Sequence, residues 1–129
     1  MFEVRVEETF SSGHALRGYK GKCENVHGHN YRVRLTLAGP KLNDIGLLVD
    51  FTELKRVLRQ IIAGIDHQFL NDLEAFQKVN PSAENLARYF YEETRRGLSG
   101  LPEDAGITEV IVWETDTSSA IYRPDPAGT

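Results

Sequence analysis

His27-Gly28-His29 sets two imidazoles on the same side of an extended segment, since side chains two residues apart share a face, and His14 and Cys23 precede them in the same glycine-rich stretch. Three neutral imidazole nitrogens suit Zn²⁺ and leave the fourth tetrahedral position for water or a substrate, the arrangement of catalytic zinc. An isolated His-x-His pair reads as two loop histidines with ordinary hydrogen bonds, and the company of His14 and Cys23 turns the reading towards a metal. Cys23, the single cysteine, leaves three alternatives open: a fourth ligand that closes the site, a small buried thiol, or an acid/base group. Its neighbours Arg17, Lys20 and Lys22, together with a nearby divalent ion, would favour the thiolate.

Two further groups carry possible chemistry. Asp66-His67 reads locally as a cap pair just beyond a helix, yet a carboxylate that orients an imidazole is also a common proton-transfer device at neutral pH. Glu114 shares its strand parity with Val110 and Val112, which turns its carboxylate towards a covered surface. A buried carboxylate needs a partner. An arginine of the same chain is the ordinary answer, and a ligand edge with two adjacent N–H groups would serve equally through charge-assisted bonds.

These residues must be held by surrounding elements. Residues 2 to 10 alternate Phe2, Val4, Val6 and Phe10 against Glu3, Arg5, Glu7 and Thr9, the period of a half-buried strand. Residues 11 to 29 break that alternation and read as a long functional loop, and residues 30 to 38 alternate again and end at the Gly39-Pro40 turn. From Phe51 to Ala63 the set Leu54, Val57, Leu58, Ile61 and Ile62 has helical spacing. Asp50 and Glu53 resemble a capping box at its start, and Gly64 marks its end. Ser82 announces a second helix running to about Leu98. Ile107 to Thr115 is strand-like and apolar on both parities, 118 to 123 offers a short fourth strand, and residues from 124 read as a loose tail. The order ββααββ predicts an α+β domain spanning 1–129, an antiparallel sheet with two helices on one face. The charged outward parity of the first two strands, against a partly apolar third, suggests that this face or its edges meet another subunit.

Composition narrows the function classes. The chain has 129 residues, 40% hydrophobic and 26% charged, ordinary usage for a folded domain of this size. Fifteen basic against nineteen acidic side chains give a net charge of −4, so no global field favours nucleic acid or an anionic membrane. No cationic segment with a following apolar stretch begins at Met1, and runs such as Leu47-Leu48-Val49 are far too short to span a bilayer. The expectation is a cytoplasmic protein without disulfides.

Taken together, Phe10-x3-His14, Cys23-x3-His27-Gly-His29, Val49-Asp50-Phe51, Asp66-His67-x2-Leu70-Asn71-Asp72, Pro81-Ser82-Ala83-Glu84-Asn85 and Trp113-Glu114-Thr115 resemble the 6-pyruvoyl-tetrahydropterin synthase family. The resemblance runs from about Phe2 to Tyr122. The short Cys23 to His27 spacing is more similar to the bacterial branch, the 6-carboxy-tetrahydropterin synthases of queuosine biosynthesis. Two departures are small: Gly13 and Ser82 replace an alanine-like residue and a threonine. The resemblance implies a tunnelling fold, in which ββααββ subunits join their sheets into a barrel, commonly a homohexamer built as a dimer of trimers. It implies Zn²⁺ on His14, His27 and His29, a proton-transfer set of Cys23, Asp66 and His67, and Glu114 anchoring the pterin through its 2-amino and N3–H edge. The implied reaction converts 7,8-dihydroneopterin triphosphate to 6-carboxy-tetrahydropterin, acetaldehyde and triphosphate. Its alternatives are triphosphate elimination that stops at the 6-pyruvoyl product, and a non-catalytic zinc- or pterin-binding module in which Cys23 closes a His3Cys site. Arg17, Lys20 and Lys22 are the cations nearest in sequence for a triphosphate.

Overall fold

The computed structural model describes residues 1–21 and 24–125. Lys22, Cys23 and the last four residues of the expected tail lie outside the described residues. The elements are β1 (Phe2–His14), β2 (His27–Gly39), α1 (Phe51–Ala63), α2 (Ala83–Gly97), β3 (Gly106–Thr115) and β4 (Ser118–Tyr122). Two single 3₁₀ turns, Leu70–Asp72 and Glu74–Phe76, lie between the helices. The strands form one antiparallel sheet in the order β1-β2-β3-β4, as the ββααββ order predicts.

The alternation read from sequence decides which face is covered. Val6 and Phe10 of β1, Tyr31, Val33, Leu35 and Leu37 of β2, and Val110 and Val112 of β3 join Leu54, Leu58 and Ile62 of α1 and Leu86, Ala87 and Phe90 of α2 in one core. Ile111, of opposite parity, is buried as well, so both faces of β3 are covered there. The other face of the sheet is polar around one aromatic ring: the guanidinium carbons of Arg32 and Arg34 lie 4.0 and 5.0 Å from the Trp113 ring centre, and Arg34 Nε donates to Glu7 Oε2 at 2.6 Å.

Both helices start where their caps predict. The Asp50 carboxylate accepts from Thr52 N at 2.8 Å and the Ser82 hydroxyl from Asn85 N at 3.1 Å, each satisfying an amide that a helix start leaves open. The expected reciprocal half of the first capping box is absent, because Glu53 turns outward to a two-point pair with Arg56 (2.6 and 3.0 Å). A guanidinium one turn away offers a carboxylate two charge-assisted bonds, where the backbone offers one.

The largest departure from the sequence pattern lies at the strand ends. β1 does not stop at Phe10, and the irregular stretch is not 11 to 29. The ladder continues through Ser11↔Asn30, Ser12↔His29 and Gly13↔Gly28 to His14↔His27, leaving residues 15–26 as the connection. A ladder is made by backbone groups, so serine and glycine extend it although they carry no apolar period. The outer edge of β1 is then covered by the chain that leaves α1. His67 N donates to Ser11 O (2.6 Å), Ser11 N to Asp66 Oδ1 (2.9 Å), Gly13 N to Gln68 O (2.9 Å) and the Ser12 hydroxyl to Ile65 O (2.5 Å), with a parallel bridge between Gly13 and Phe69.

At the other end of β2, a Cβ on Gly39 would fall 2.7 Å from Leu48 Cδ1 and 2.9 Å from Ala105 Cβ. Gly39→Ala is therefore expected to destabilise the fold by about 1–3 kcal/mol through overpacking, read as a lower denaturant midpoint at unchanged m-value.

Candidate metal centre and proton-transfer site

The register His14↔His27 places two imidazoles opposite each other, and the two-residue period adds His29 on the same face. One ring nitrogen from each of the three lies within 4.8 Å of the others, a group that can hold a metal ion. His14 is buried and the other two are half-buried.

Hydrogen bonds on the far side of the rings determine what the near side offers. His14 Nδ1 lies 2.7 Å from Pro81 O, and His27 Nδ1 lies 2.7 Å from Asn25 O. A carbonyl oxygen only accepts, so Nδ1 carries the proton in both rings and both Nε2 atoms present lone pairs. Those two Nε2 atoms are 2.9 Å apart. Two lone pairs at that separation repel unless a cation lies between them, and ligand nitrogens on one tetrahedral zinc stand roughly 3.3 Å apart. Carbonyls that fix the tautomer of ligand histidines are the usual support of a metal site. The third imidazole agrees: burial lowers the His29 pKa below the usual histidine value, Glu114 opposes the shift, and His14 and His27 add to it, which leaves a neutral donor at pH 7. His29 Nε2 is buried and makes no hydrogen bond among the described residues, although Glu114 Oε1 lies 3.2 Å away, within ion-pair reach. The donor set, the fixed tautomers and the orphaned nitrogen all fit a divalent ion.

Beneath the three rings, Tyr31 closes the floor. Its hydroxyl is 3.3 Å from His14 Nδ1, and burial first, then Glu114, raise its pKa, so it remains a neutral phenol.

The coverage of the β1 edge brings the second pair of residues to the same end of the sheet. Asp66 Oδ2 lies 3.0 Å from His67 Nδ1, and the imidazole is 80% exposed, so its other nitrogen faces open space. His67 has φ +56°, a left-handed conformation that costs a non-glycine residue energy and that its N–H bond to Ser11 O sustains. A cavity of about 440 Å³ is lined by His67, Gln68 and Phe69 on one side and by Gly28, His29 and Asn30 on the other. A larger cavity of about 760 Å³ shares Ser11, Asn30 and His67 with it and continues to Arg32 and Asp116, but touches none of the three clustered histidines. Of the two, only the smaller touches a histidine of the cluster, His29.

Glu114 lies on the helix side of the sheet with Val110 and Val112, as parity predicts, and its side chain is 29% exposed. The ordinary partner, an arginine, is replaced here by His29. Arg17 is drawn away from any anion, since its guanidinium donates to Asn71 O (3.1 Å) and Val79 O (3.3 Å). Cys23, the expected base or fourth ligand, lies outside the described residues. Sequence reasoning missed the Pro81 and Asn25 carbonyls, the Tyr31 hydroxyl and Ser11, which joins the dyad to the strand. Carbonyl positions leave no trace in residue type. Tyr31 sits within the second quoted strand and Ser11 in the stretch read as a loop, neither with a marking of its own.

A family model described as 6-pyruvoyl tetrahydropterin synthase matches residues 3–125. The chain is 36% identical over 132 residues to the 6-carboxy-5,6,7,8-tetrahydropterin synthase of Bacillus subtilis (strain 168), covering 98% of this chain and 88% of that protein. It is 35% identical over 130 residues to the 6-pyruvoyl tetrahydrobiopterin synthase of Drosophila melanogaster, covering 90% and 76%. Among solved structures it resembles the 6-pyruvoyl tetrahydropterin synthase of Caenorhabditis elegans, with a TM-score of 0.85, 27% identity and 96% of each chain covered.

The Asp66 pKa is held below the usual carboxylate value, first by the Ser11 N–H bond and then by His67. A depressed folded pKa contributes stability that is fully present above the unfolded value and is lost as pH falls through the folded one. The stability gap between the protein and Asp66→Asn is thus expected to stay level from neutral pH down to about 4 and to shrink only below it. Denaturant unfolding across pH 2.5–7 measures this, and a gap that closes above about pH 5 contradicts it.

Proposed function

The chain belongs to the 6-pyruvoyl tetrahydropterin synthase family, and from that premise we propose that it is a zinc-dependent lyase. Its reaction is the conversion of 7,8-dihydroneopterin triphosphate to 6-carboxy-5,6,7,8-tetrahydropterin, acetaldehyde and triphosphate, in the route to queuosine and related 7-deazapurines. The observation that carries the reading is the pair of opposed Nε2 lone pairs of His14 and His27, joined by His29 in one cluster of three imidazole nitrogens. Relatives named as 6-carboxytetrahydropterin synthases in bacteria and the short Cys23 to His27 spacing support the carboxy product. Similar identity to proteins named as 6-pyruvoyl synthases keeps the pyruvoyl product as the second reading.

Zinc held by His14, His27 and His29 would act as a Lewis acid on the side-chain oxygens of the substrate and acidify the adjacent C–H and O–H. The protein's own groups then move protons. Cys23, as thiolate, is the base on one side. His67 exchanges protons on the other: Asp66 takes its Nδ1–H, which leaves Nε2 directed at the cavity and stabilises the ring when it is charged. Glu114 accepts the two N–H groups of the pterin edge and fixes its orientation, a role suited to a half-buried carboxylate whose nearby partner is an imidazole. Elimination of triphosphate and tautomer shifts lead to a vicinal carbonyl side chain. One water then adds to the carbonyl carbon next to the ring, and the bond between the two carbonyl carbons breaks. The ring-side carbon stays on the ring as carboxylate, and the other takes a proton to leave as acetaldehyde. The charged outer face of the sheet and its β4 edge are the surfaces through which copies would join into a barrel, and a homohexamer in the cytoplasm is the proposed working state.

Purified protein incubated with 7,8-dihydroneopterin triphosphate is expected to release acetaldehyde and triphosphate, to lose the activity on chelation and to regain it with Zn²⁺. Mass spectrometry that finds the 6-pyruvoyl compound and no acetaldehyde selects the second reading, and unconsumed substrate points to a binding module. Cys23→Ala is expected to lower turnover by about 10²–10⁴-fold while zinc content stays at the wild-type level. Zinc lost together with turnover would make Cys23 a ligand.

A further inference from the structure

Beyond His14 the first strand parts from the second, since His14↔His27 is their last pair, yet the following residues are not left without partners. Ala15 N donates to Asn71 Oδ1 at 2.9 Å and Asn71 Nδ2 returns a bond to Ala15 O at 2.8 Å. Two residues on, Arg17 N donates to Asn80 Oδ1 at 2.8 Å and Asn80 Nδ2 to Arg17 O at 2.9 Å. Resting on the metal reading above, we propose that Asn71 and Asn80 are positioning residues for the metal trio, their side-chain amides acting as two detached strand rungs that hold His14 and its supporting carbonyl in one closed ring.

A primary amide carries its acceptor and its donor side by side, so one asparagine satisfies both main-chain groups of a single residue, as a paired strand residue does. The spacing is that of a strand edge. Ser11, Gly13, Ala15 and Arg17 are each bonded along the outer side, the first two by the segment that bears His67 and the last two by asparagine amides. The ring closes through the ligand itself: Asn80 holds Arg17, the next residue, Pro81, takes the His14 Nδ1–H at 2.7 Å, and His14 leads back through Ala15 to Arg17. Asn80 is in turn tied down, because its carbonyl accepts from Asn85 Nδ2 at 2.8 Å at the start of α2. The Pro81 carbonyl that fixes the His14 tautomer therefore cannot drift from the strand without breaking an amide pair. The connection at residues 15–26, which contains Cys23, is held at its root by the same two amides.

The test uses Co²⁺ alone, titrated into metal-free full-length protein and followed by its visible absorption. Asn71→Ala and Asn80→Ala are expected to weaken Co²⁺ binding at least about tenfold, the usual effect of removing an outer partner of a metal ligand, and to speed hydrogen exchange at Ala15 and Arg17. Asp50→Ala removes the N-cap of α1, about 20 Å of helix away from the Ala63 end that leads to the β1 edge, and is expected to bind Co²⁺ as tightly as the wild type. Should Asn71→Ala not fold, Asn80→Ala, whose amide lies nearer the surface, decides alone. Wild-type Co²⁺ affinity in Asn80→Ala despite fast exchange at Arg17 overturns the inference, as does an equal loss of affinity in Asp50→Ala. Failure of the wild type itself to bind Co²⁺ overturns the metal reading first and this inference with it.

Discussion

Two backbone carbonyls, those of Pro81 and Asn25, take the Nδ1 protons of His14 and His27 and so turn both Nε2 lone pairs towards the same point. At 2.9 Å those lone pairs are unfavourable neighbours in a metal-free protein and good ligands for a divalent ion. Everything else around the site serves this placement. The strand register brings the rings together, the floor of Tyr31 and Phe10, stacked with centres 4.8 Å apart, supports them from the core side, and the loop before α2 delivers the Pro81 carbonyl. The strain of bringing lone pairs together is carried by ordinary folding energy, since a hydrophobic core formed from both helices and three strands underlies the ligand end of the sheet.

The second organising feature is the outer edge of β1. An exposed edge strand presents unpaired N–H and C=O groups that invite association. Here the chain from Ile65 to Phe69 pairs with that edge, and the same bonds fix Asp66 and His67 against Ser11, at the end of β1 that carries His14. Protection of the edge and assembly of the dyad are thus one structural event. The left-handed backbone of His67 is its local cost, sustained by the Ser11 contact, and the imidazole it carries is 80% exposed.

Charge is arranged on two scales. The chain as a whole is acidic, with a net charge of −4, yet Arg32 and Arg34 gather over Trp113 on the open face of the sheet, where Glu7 partly balances them. On the opposite face, among the described residues, Glu114 meets His29 and no arginine. Arg17 shows the reverse case. It is a loop cation by sequence, but its five donors suit convergent carbonyls, and the tertiary fold uses it to join the turn at Asn71 to the segment at Val79.

Sequence by itself determined the element order, both helices with their N-caps, the covered face of the first two strands, and the three histidines that cluster, because periodicity and cap chemistry are local and residue types limit metal donors. The six motifs also determined the family. Sequence did not show that β1 and β2 reach as far as His14 and His27, since backbone ladders leave no apolar pattern in serine and glycine. Nor did it show that Glu53 would pair with Arg56, or which tautomer each imidazole adopts. Only the tertiary structure decided those, and with them the docking of Asp66 and His67 on the β1 edge and the bonding of Asn71 and Asn80 to Ala15 and Arg17. The physical reason is common to all: each depends on a main-chain N–H or C=O, or on a choice between competing partners, and backbone groups are the same in every residue until the fold gives them neighbours.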